Sequence, residues 1–174
     1  LNCEGTSRDG RGEIVSTAAG WELRNFDIDK HFLKQAHKDA LTAIAPALKA
    51  FIDANPDKQI RLTGEASTTA GTCYNMRLSR RRARCVARML QALGIPAASL
   101  DVTWIGDTES EQRLMYKPVK TPVDIENPKD RRVRIELDVP PKPDCPPDAK
   151  LRASKELDFR FGCLSRTSFS VVIA

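Results

Sequence analysis

The sequence predicts an α+β fold in which a mixed four-stranded sheet carries helices on one face, followed by a β-rich tail. Three observations support this prediction. Apolar residues recur at helical spacing in two long segments, four short segments have the composition of strands, and the two kinds of segment alternate along the chain. Such an order favours helices that connect the strands of one sheet and pack together on it.

The first half of the chain contains two predicted strands and one helix. A Gly-, Ser- and charge-rich stretch at residues 1–20 is predicted to be an extended lead-in to the first strand, WELRNFDID. In residues 32–54 the apolar period continues across Pro46, which favours a kinked helix over a broken one. The turn sequence NPDK ends this helix, and QIRLTGEA is the second predicted strand.

The second predicted helix begins at Asn75, a residue type suited to the N-cap, and ends near Leu93, before Gly94 and Pro96. The segments LDVTWIG and RRVRIELDV are the third and fourth predicted strands. Residues 107–129 lie between them and are predicted to form a long polar loop.

Prolines divide the chain near its end. Five of them lie in residues 140–148, which predicts a stiff linker between a main domain at residues 21–139 and a β-strand tail at residues 149–174. The tail is still apolar where the sequence stops, and the first residue, Leu1, is not methionine. We therefore expect the chain to be part of a longer protein.

Composition narrows the possible functions. The formal net charge of +5 favours a partner of negative charge. No apolar run approaches the roughly 18–20 residues that a membrane span needs, which predicts no transmembrane segment. The five cysteines have neither a CxxC pair nor a histidine at zinc-site spacing, so we expect no metal and no other cofactor.

The cysteines allow disulfide bonds in an oxidising compartment, although five thiols cannot all pair within one chain. Cys73 lies just before the predicted helix, which predicts an accessible sulfur. It is the best candidate for a bond to a distant cysteine such as Cys3. For Cys85, a small half-buried thiol and a disulfide partner both remain open.

Arg82 differs from the other arginines of the second predicted helix. On a helical wheel, Arg77, Arg81, Arg84 and Arg88 share one sector, which predicts a solvated face. Arg82 lies within the apolar stripe, where an unpaired guanidinium is unfavourable. It therefore needs a carboxylate, a set of carbonyl oxygens or a ligand.

Two interpretations of Arg82 remain open from the residues alone. One is a buried ion pair with Glu65 or Asp130, and the other is a bidentate clamp for a ligand carboxylate. Nucleic acid is the weaker candidate ligand, because the arginines lack interleaved aromatic residues that could stack on bases. Enzymatic activity is not expected, because His31 and His37 lie around the start of the first helix without a nucleophile pattern nearby.

Three segments, GEASTTAGTCYNMRLSRRRARCV, LGIPAASLDVTWIGDTES and KDRRVRIEL, together resemble the C-terminal domain of outer-membrane protein A. Peptidoglycan-associated lipoprotein and flagellar stator proteins share this domain, and the resemblance covers roughly residues 20–139. It implies a mixed sheet with helices on one face. It also implies a non-enzymatic module that binds peptidoglycan through the diaminopimelate of the stem peptide.

The resemblance further implies which residues hold the ligand. The arginine of the family's Leu-Ser-x-x-Arg-Ala motif grips a diaminopimelate carboxylate and corresponds to Arg82. Ser67 stands where the family has an aspartate that pairs with the ligand ammonium, and Glu65 is the candidate for the missing charge. The complete set of ligand-binding candidates is Arg82, Ser67, Asn75, Glu65, Asp130, Arg131 and Arg132.

Two functions are compatible with the sequence. The first is a peptidoglycan-binding module of the periplasm or cell envelope. The alternative is an interaction or scaffold module that keeps the fold without wall binding, within a larger secreted or injected bacterial toxin or effector. Ser67 and the strand that is unfinished after the Pro-rich linker favour the alternative. The expected partner is accordingly peptidoglycan or another protein, and not nucleic acid.

Overall fold

A computed structural model of the chain describes residues 2–7, 12–115, 121–122 and 126–139. The predicted linker at 140–148 and the predicted tail at 149–174 lie outside these residues. Among the helices of the described part, none combines the length and the hydropathy that are needed to cross a membrane.

The described residues form five strands and three α-helices. In chain order these are β1 (Glu13–Thr17), β2 (Gly20–Arg24), α1 (Gln35–Ala54), β3 (Gln59–Glu65), α2 (Thr72–Ala92), β4 (Leu100–Gly106), α3 (Thr108–Met115) and β5 (Val133–Val139). The strands form one sheet in the order β1-β2-β5-β3-β4. Strands β3 and β4 are parallel, whereas the other neighbouring pairs are antiparallel. The predicted α+β class with a mixed sheet is confirmed.

The strands alternate between an apolar and a polar face, as the period of two along a strand requires. On β3, Ile60 and Leu62 are fully buried, and Leu62 is paired in register with Ile135 of β5. They share one hydrophobic core with Leu48 of α1 and Leu90 of α2. The two long helices therefore cover the apolar face of the sheet.

The sheet has one strand more than the four that the sequence predicts. Residues Glu13–Thr17, within the predicted lead-in, pair with β2 as an antiparallel hairpin. None of the β1 side chains is fully buried, so this strand lacks the apolar alternation by which the others are found. Strand β2 also ends earlier than predicted, at Arg24, because Asn25 has a positive φ of 64° and turns the chain.

The start of one helix and the presence of another differ from the prediction. Helix α2 begins at Thr72 with Gly71 as its N-cap, so Asn75 lies inside the first turn and is not the cap. Residues 107–129 contain the helix α3 instead of only a polar loop. An eight-residue helix makes barely two turns, which is too short for a clear hydrophobic period. Helix α1, in contrast, continues through Pro46 as predicted.

A disulfide bond joins Cys3 to Cys85, so the predicted bond between Cys3 and Cys73 is wrong. Cys85 lies on the buried face of α2 and is 1% exposed, and Cys3 packs against the same core. Cys73 lies a little over three turns earlier on the helix, away from this part of the core. The bond joins positions 82 residues apart and ties the segment before β1 to the middle of α2.

Gly64 allows α2 to approach β3 closely. A Cβ atom at this position would lie 2.1 Å from the carbonyl oxygen of Ser79 and 3.1 Å from the Cβ of Ala83. No side chain fits in this space, so helix and strand are in direct backbone contact here. The contact brings Arg82, one turn after Ser79, beside the end of β3.

Candidate functional site

Arg82 lies where α2, the end of β3 and the loop between β2 and α1 meet, and its side chain is 0% exposed. Its Nε donates a hydrogen bond to the carbonyl oxygen of Lys30 at 3.0 Å. Its two Nη atoms donate to the carbonyl oxygens of Glu65 at 2.9 Å and Asp27 at 3.1 Å. The guanidinium also lies 5.4 Å from the ring centroid of Phe26. Arg82 thus connects three separate segments of the backbone.

These contacts decide between the structural partners proposed for Arg82. The buried ion pair is wrong, because Arg82 reaches the main-chain oxygen of Glu65, while the carboxylate of Asp130 pairs with Arg113 of α3. A set of carbonyl oxygens satisfies the buried guanidinium instead. The solvated face of α2 is confirmed by the exposed side chains of Arg77, Arg81, Arg84 and Arg88.

The charge of Arg82 is unfavourably placed in the folded protein. Burial, followed by the positive charge of Arg131, lowers the pKa of Arg82 to about 9, against the opposing effects of Glu126 and Asp29. Removing a cation from water and placing it near another cation both disfavour the charged form. An additional anion beside these two guanidinium groups would therefore be stabilised.

Ser67 contacts a carboxylate that the sequence analysis missed. The Ser67 hydroxyl lies 3.0 Å from both carboxylate oxygens of Glu126. Glu126 also forms an ion pair with Arg131, whose Nε donates to the carbonyl oxygen of Phe26. The contact joins residues 59 positions apart, from a segment without hydrophobic periodicity, so no local sequence pattern could indicate it.

Glu65 belongs to a separate ion-pair network on the polar face of the sheet. Its carboxylate is 3% exposed and lies 2.8 Å from Arg132 Nη2 and 2.7 Å from Arg134 Nε. The contact with Arg134 Nε is an ion pair without hydrogen-bond geometry. Both arginines also pair with Glu109 of α3, at 2.6 Å and 2.8 Å. The Glu65 carboxylate is thus engaged by arginines, and the carboxylate at Ser67 is that of Glu126.

Asn75 fixes the beginning of α2. Its amide nitrogen donates to Asp107 Oδ2 at 2.7 Å and to the carbonyl oxygen of Ala70 at 2.8 Å. Of the seven candidate residues, Ser67 and Arg131 therefore contact Glu126 directly, and Arg82 is within range of its charge. The others, Glu65, Asn75, Asp130 and Arg132, are bound to other protein groups.

Replacing Glu65 by glutamine is expected to change how stability depends on pH. Burial raises the pKa of Glu65 to about 7, although Arg132 and Arg134 lower it. Between its ordinary pKa of 4.5 and about 7, the native protein holds a proton that the unfolded chain has released. Wild-type stability therefore falls as the pH rises through this window, by up to about 3 kcal/mol, and the variant should lack this fall.

Urea unfolding of both proteins from about pH 4 to pH 8 measures the effect. The pKa of His37, which burial lowers to about 4, contributes the same pH dependence to both proteins and cancels in their difference. A difference in stability that does not vary with pH would show that the two arginines keep Glu65 ionised throughout.

Arg82, Arg131, Glu126 and Ser67 form a charged cluster. The fold and this cluster define a class of protein, namely an α+β domain in which a buried arginine of a helix anchors a loop next to acidic and basic side chains. The sequence model of the OmpA family matches residues 25–115, which are 91 of the 174 residues. The chain belongs to the OmpA family, as the resemblance indicates.

Named relatives match parts of the chain. Outer-membrane lipoprotein YfiB of Pseudomonas aeruginosa is 38% identical over 107 residues, which are 58% of this chain and 55% of that protein. Outer membrane protein 40 of Porphyromonas gingivalis is 43% identical over 51 residues, 29% of this chain and 13% of that protein. The matches thus span about half of the first relative and about an eighth of the second.

Solved structures share the fold. The peptidoglycan-associated lipoprotein of Burkholderia pseudomallei has a TM-score of 0.53 at 21% identity, covering 66% of this chain and 88% of that chain. The periplasmic domain of Helicobacter pylori MotB has a TM-score of 0.52 at 17% identity, covering 91% and 99%. At these identities the similarity establishes the fold.

Proposed function

We propose that this domain is a non-enzymatic module that binds peptidoglycan through the diaminopimelate of its stem peptide. The observation that supports the proposal most is the buried guanidinium of Arg82 at the position of the family's carboxylate-binding arginine. Burial and the charge of Arg131 disfavour the charged form of Arg82. A carboxylate bound beside these two groups relieves that cost.

The hydrogen bonds of Arg82 also suit this role. A guanidinium has five N–H groups, of which three are used for carbonyl oxygens. Because these bonds fix the plane of the guanidinium, little side-chain freedom is lost when a carboxylate binds. We assign ligand contact to Arg82, Arg131 and Ser67. A positioning role falls to the remaining candidates, which are Asn75, Glu65, Asp130 and Arg132.

We assign the domain to the periplasm or the cell envelope. The disulfide between Cys3 and Cys85 supports an oxidising compartment, because such bonds are rare where thiols are kept reduced. Two relatives are named as outer-membrane proteins, which supports the same assignment.

The wild-type domain is expected to sediment with insoluble peptidoglycan of the diaminopimelate type and much less with the lysine type. Lysine keeps the ammonium but lacks the carboxylate that Arg82 is proposed to bind, so the comparison isolates that contact. Free diaminopimelate should release the domain, whereas cadaverine, which has the two ammonium groups but no carboxylate, should not. An Arg84→Ala variant, altered on the exposed face of α2, should sediment like wild type and controls for attraction by the basic surface.

A scaffold module within a larger secreted or injected protein is the second candidate. The neutral Ser67 supports it, because a hydroxyl does not replace a carboxylate against an ammonium group. If the folded wild-type domain stays in solution with diaminopimelate-type peptidoglycan at low salt, wall binding is rejected in favour of the scaffold. Equal sedimentation with both wall types would show attraction by charge without recognition of the ligand.

A further inference from the structure

Glu126 is held firmly at the edge of the charged cluster. Both of its carboxylate oxygens lie 3.0 Å from the hydroxyl of Ser67, and one of them is paired with Arg131. Its side chain is 19% exposed, compared with 0% for Arg82. The carboxylate is therefore fixed by protein groups on one side and can still be reached from solvent.

The cluster combines two guanidinium groups with the carboxylate of Glu126, and Asp29 also acts on Arg82 by its charge. The guanidinium groups of Arg82 and Arg131 are close enough for one to lower the pKa of the other, and Glu126 is the acidic group that contacts Arg131 directly. A ligand that carries a carboxylate and an ammonium on one carbon atom complements this arrangement. The carboxylate would be drawn to the two guanidinium groups and the ammonium to Glu126.

The Glu126 carboxylate retains capacity for such an ammonium. An ionised carboxylate has about four acceptor positions, and the contacts from Ser67 and Arg131 use a part of them. Since Ser67 has one hydrogen to donate, it orients the carboxylate without neutralising it. The negative charge that an aspartate would place at position 67 is thus present next to that position, on another segment of the chain.

We propose that Glu126 is the specificity-determining residue that receives the ligand ammonium, with Ser67 and Arg131 holding its carboxylate in place. The inference rests on the proposed function, since it names the second half of the same ligand site. Glu126 takes the role that the sequence suggested for Glu65, because the carboxylate of Glu65 is engaged by Arg132 and Arg134. Ligands with an amino-acid end, such as the free end of diaminopimelate, are the class that this site selects.

Calorimetric titration with a stem peptide that ends in diaminopimelate tests the proposal. Glu126→Gln keeps the shape of the side chain and removes its charge, and it should raise the Kd about tenfold to a hundredfold. Asp29→Asn is the matched control, because Asp29 is an exposed carboxylate that also acts on Arg82 by its charge. Its positive φ of 56° suits asparagine, and the Kd should change less than about threefold.

Two further measurements separate ligand binding from structural support. A stem peptide with 2-aminopimelate in place of diaminopimelate keeps the amide bond to the peptide and the free-end carboxylate but lacks the free-end amine, so Glu126→Gln should not weaken its binding. Adding Ser67→Asp to Glu126→Gln returns a carboxylate to the cluster at the neighbouring position. This double variant should recover most of the lost affinity for the diaminopimelate peptide, while thermal unfolding verifies that each protein is folded.

The outcomes are distinguishable. If wild type and Glu126→Gln bind the diaminopimelate peptide equally tightly, the role of Glu126 is overturned and the proposed function stays intact. Tighter binding by Glu126→Gln would show that Glu126 blocks the site, which also overturns the inference. If Glu126→Gln loses the same affinity for both peptides and the double variant does not regain it, Glu126 has only a structural role and the inference is overturned. A folded wild type that binds neither peptide overturns the proposed function and the inference together.

Discussion

Replacing Arg82 by alanine is expected to lower the free energy of unfolding by at least about 3 kcal/mol. The variant removes the Arg82 donors from the carbonyl oxygens of Asp27, Lys30 and Glu65, of which the Asp27 oxygen keeps a hydrogen bond from the Lys30 amide. A buried polar group that loses its partner costs roughly 1–3 kcal/mol, and the empty volume of the side chain adds to the loss. Urea unfolding at neutral pH, with the slope compared between proteins, measures this effect.

Two variants serve as controls for Arg82. Arg84→Ala, on the exposed face of the same helix, should stay within about 0.5 kcal/mol of wild type. Arg82→Lys keeps the charge, but a single ammonium lacks the planar fork that reaches three carbonyl oxygens, so most of the loss should remain. If the free energy of unfolding of Arg82→Ala is also within about 0.5 kcal/mol of wild type, the anchoring role of Arg82 is refuted.

Removal of the disulfide is the second change with a large expected effect. Replacing Cys3 and Cys85 together by alanine should lower the free energy of unfolding by about 2–5 kcal/mol, because the bond closes a loop of 82 residues in the unfolded chain. Thermal and urea unfolding of the oxidised proteins measure the loss. Non-reducing peptide mapping of wild type should recover the segments around Cys3 and Cys85 as one linked species.

The Cys3→Ala variant alone identifies the source of the loss. Cys85 then remains as a buried thiol, which packs like a small apolar side chain, so Cys3→Ala should account for most of the effect of the double variant. If Cys3→Ala unfolds at the same urea concentration as wild type, the disulfide does not contribute to stability.

The parts of the fold that the sequence predicts are those with strong local periodicity. Helix α2 and the distinct position of Arg82 follow from a wheel, because burial on a helix depends on angle alone. Strand β1 has little apolar alternation, since it lies at the edge of the sheet with half-exposed side chains, and it was therefore missed. The short helix α3 was missed because two turns give too few positions for a period.

The residues of the candidate site also differ in whether a local sequence pattern can predict them. Arg82 is found from its own helix, whereas the partner of Ser67 comes from a distant segment and is visible only in three dimensions. Glu65 is the sequence-based candidate for the missing charge because it lies two residues before Ser67, at the end of β3. The carboxylate of Glu65 is held instead by Arg134 of β5 and by Arg132, just before β5. The register between β3 and β5 places these arginines next to Glu65.

The position of β5 in the middle of the sheet determines the order in which the domain can assemble. Until residues 133–139 have been synthesised, the β1–β2 hairpin and the parallel β3–β4 pair have no strand between them. Joining them requires contacts between β2 and β5 that are more than 100 residues apart, which slows folding because long loops must close first. The sheet of a nascent chain therefore stays open until β5 emerges, and Glu126 and Arg131, a few residues before β5, complete the proposed ligand site at the same late step.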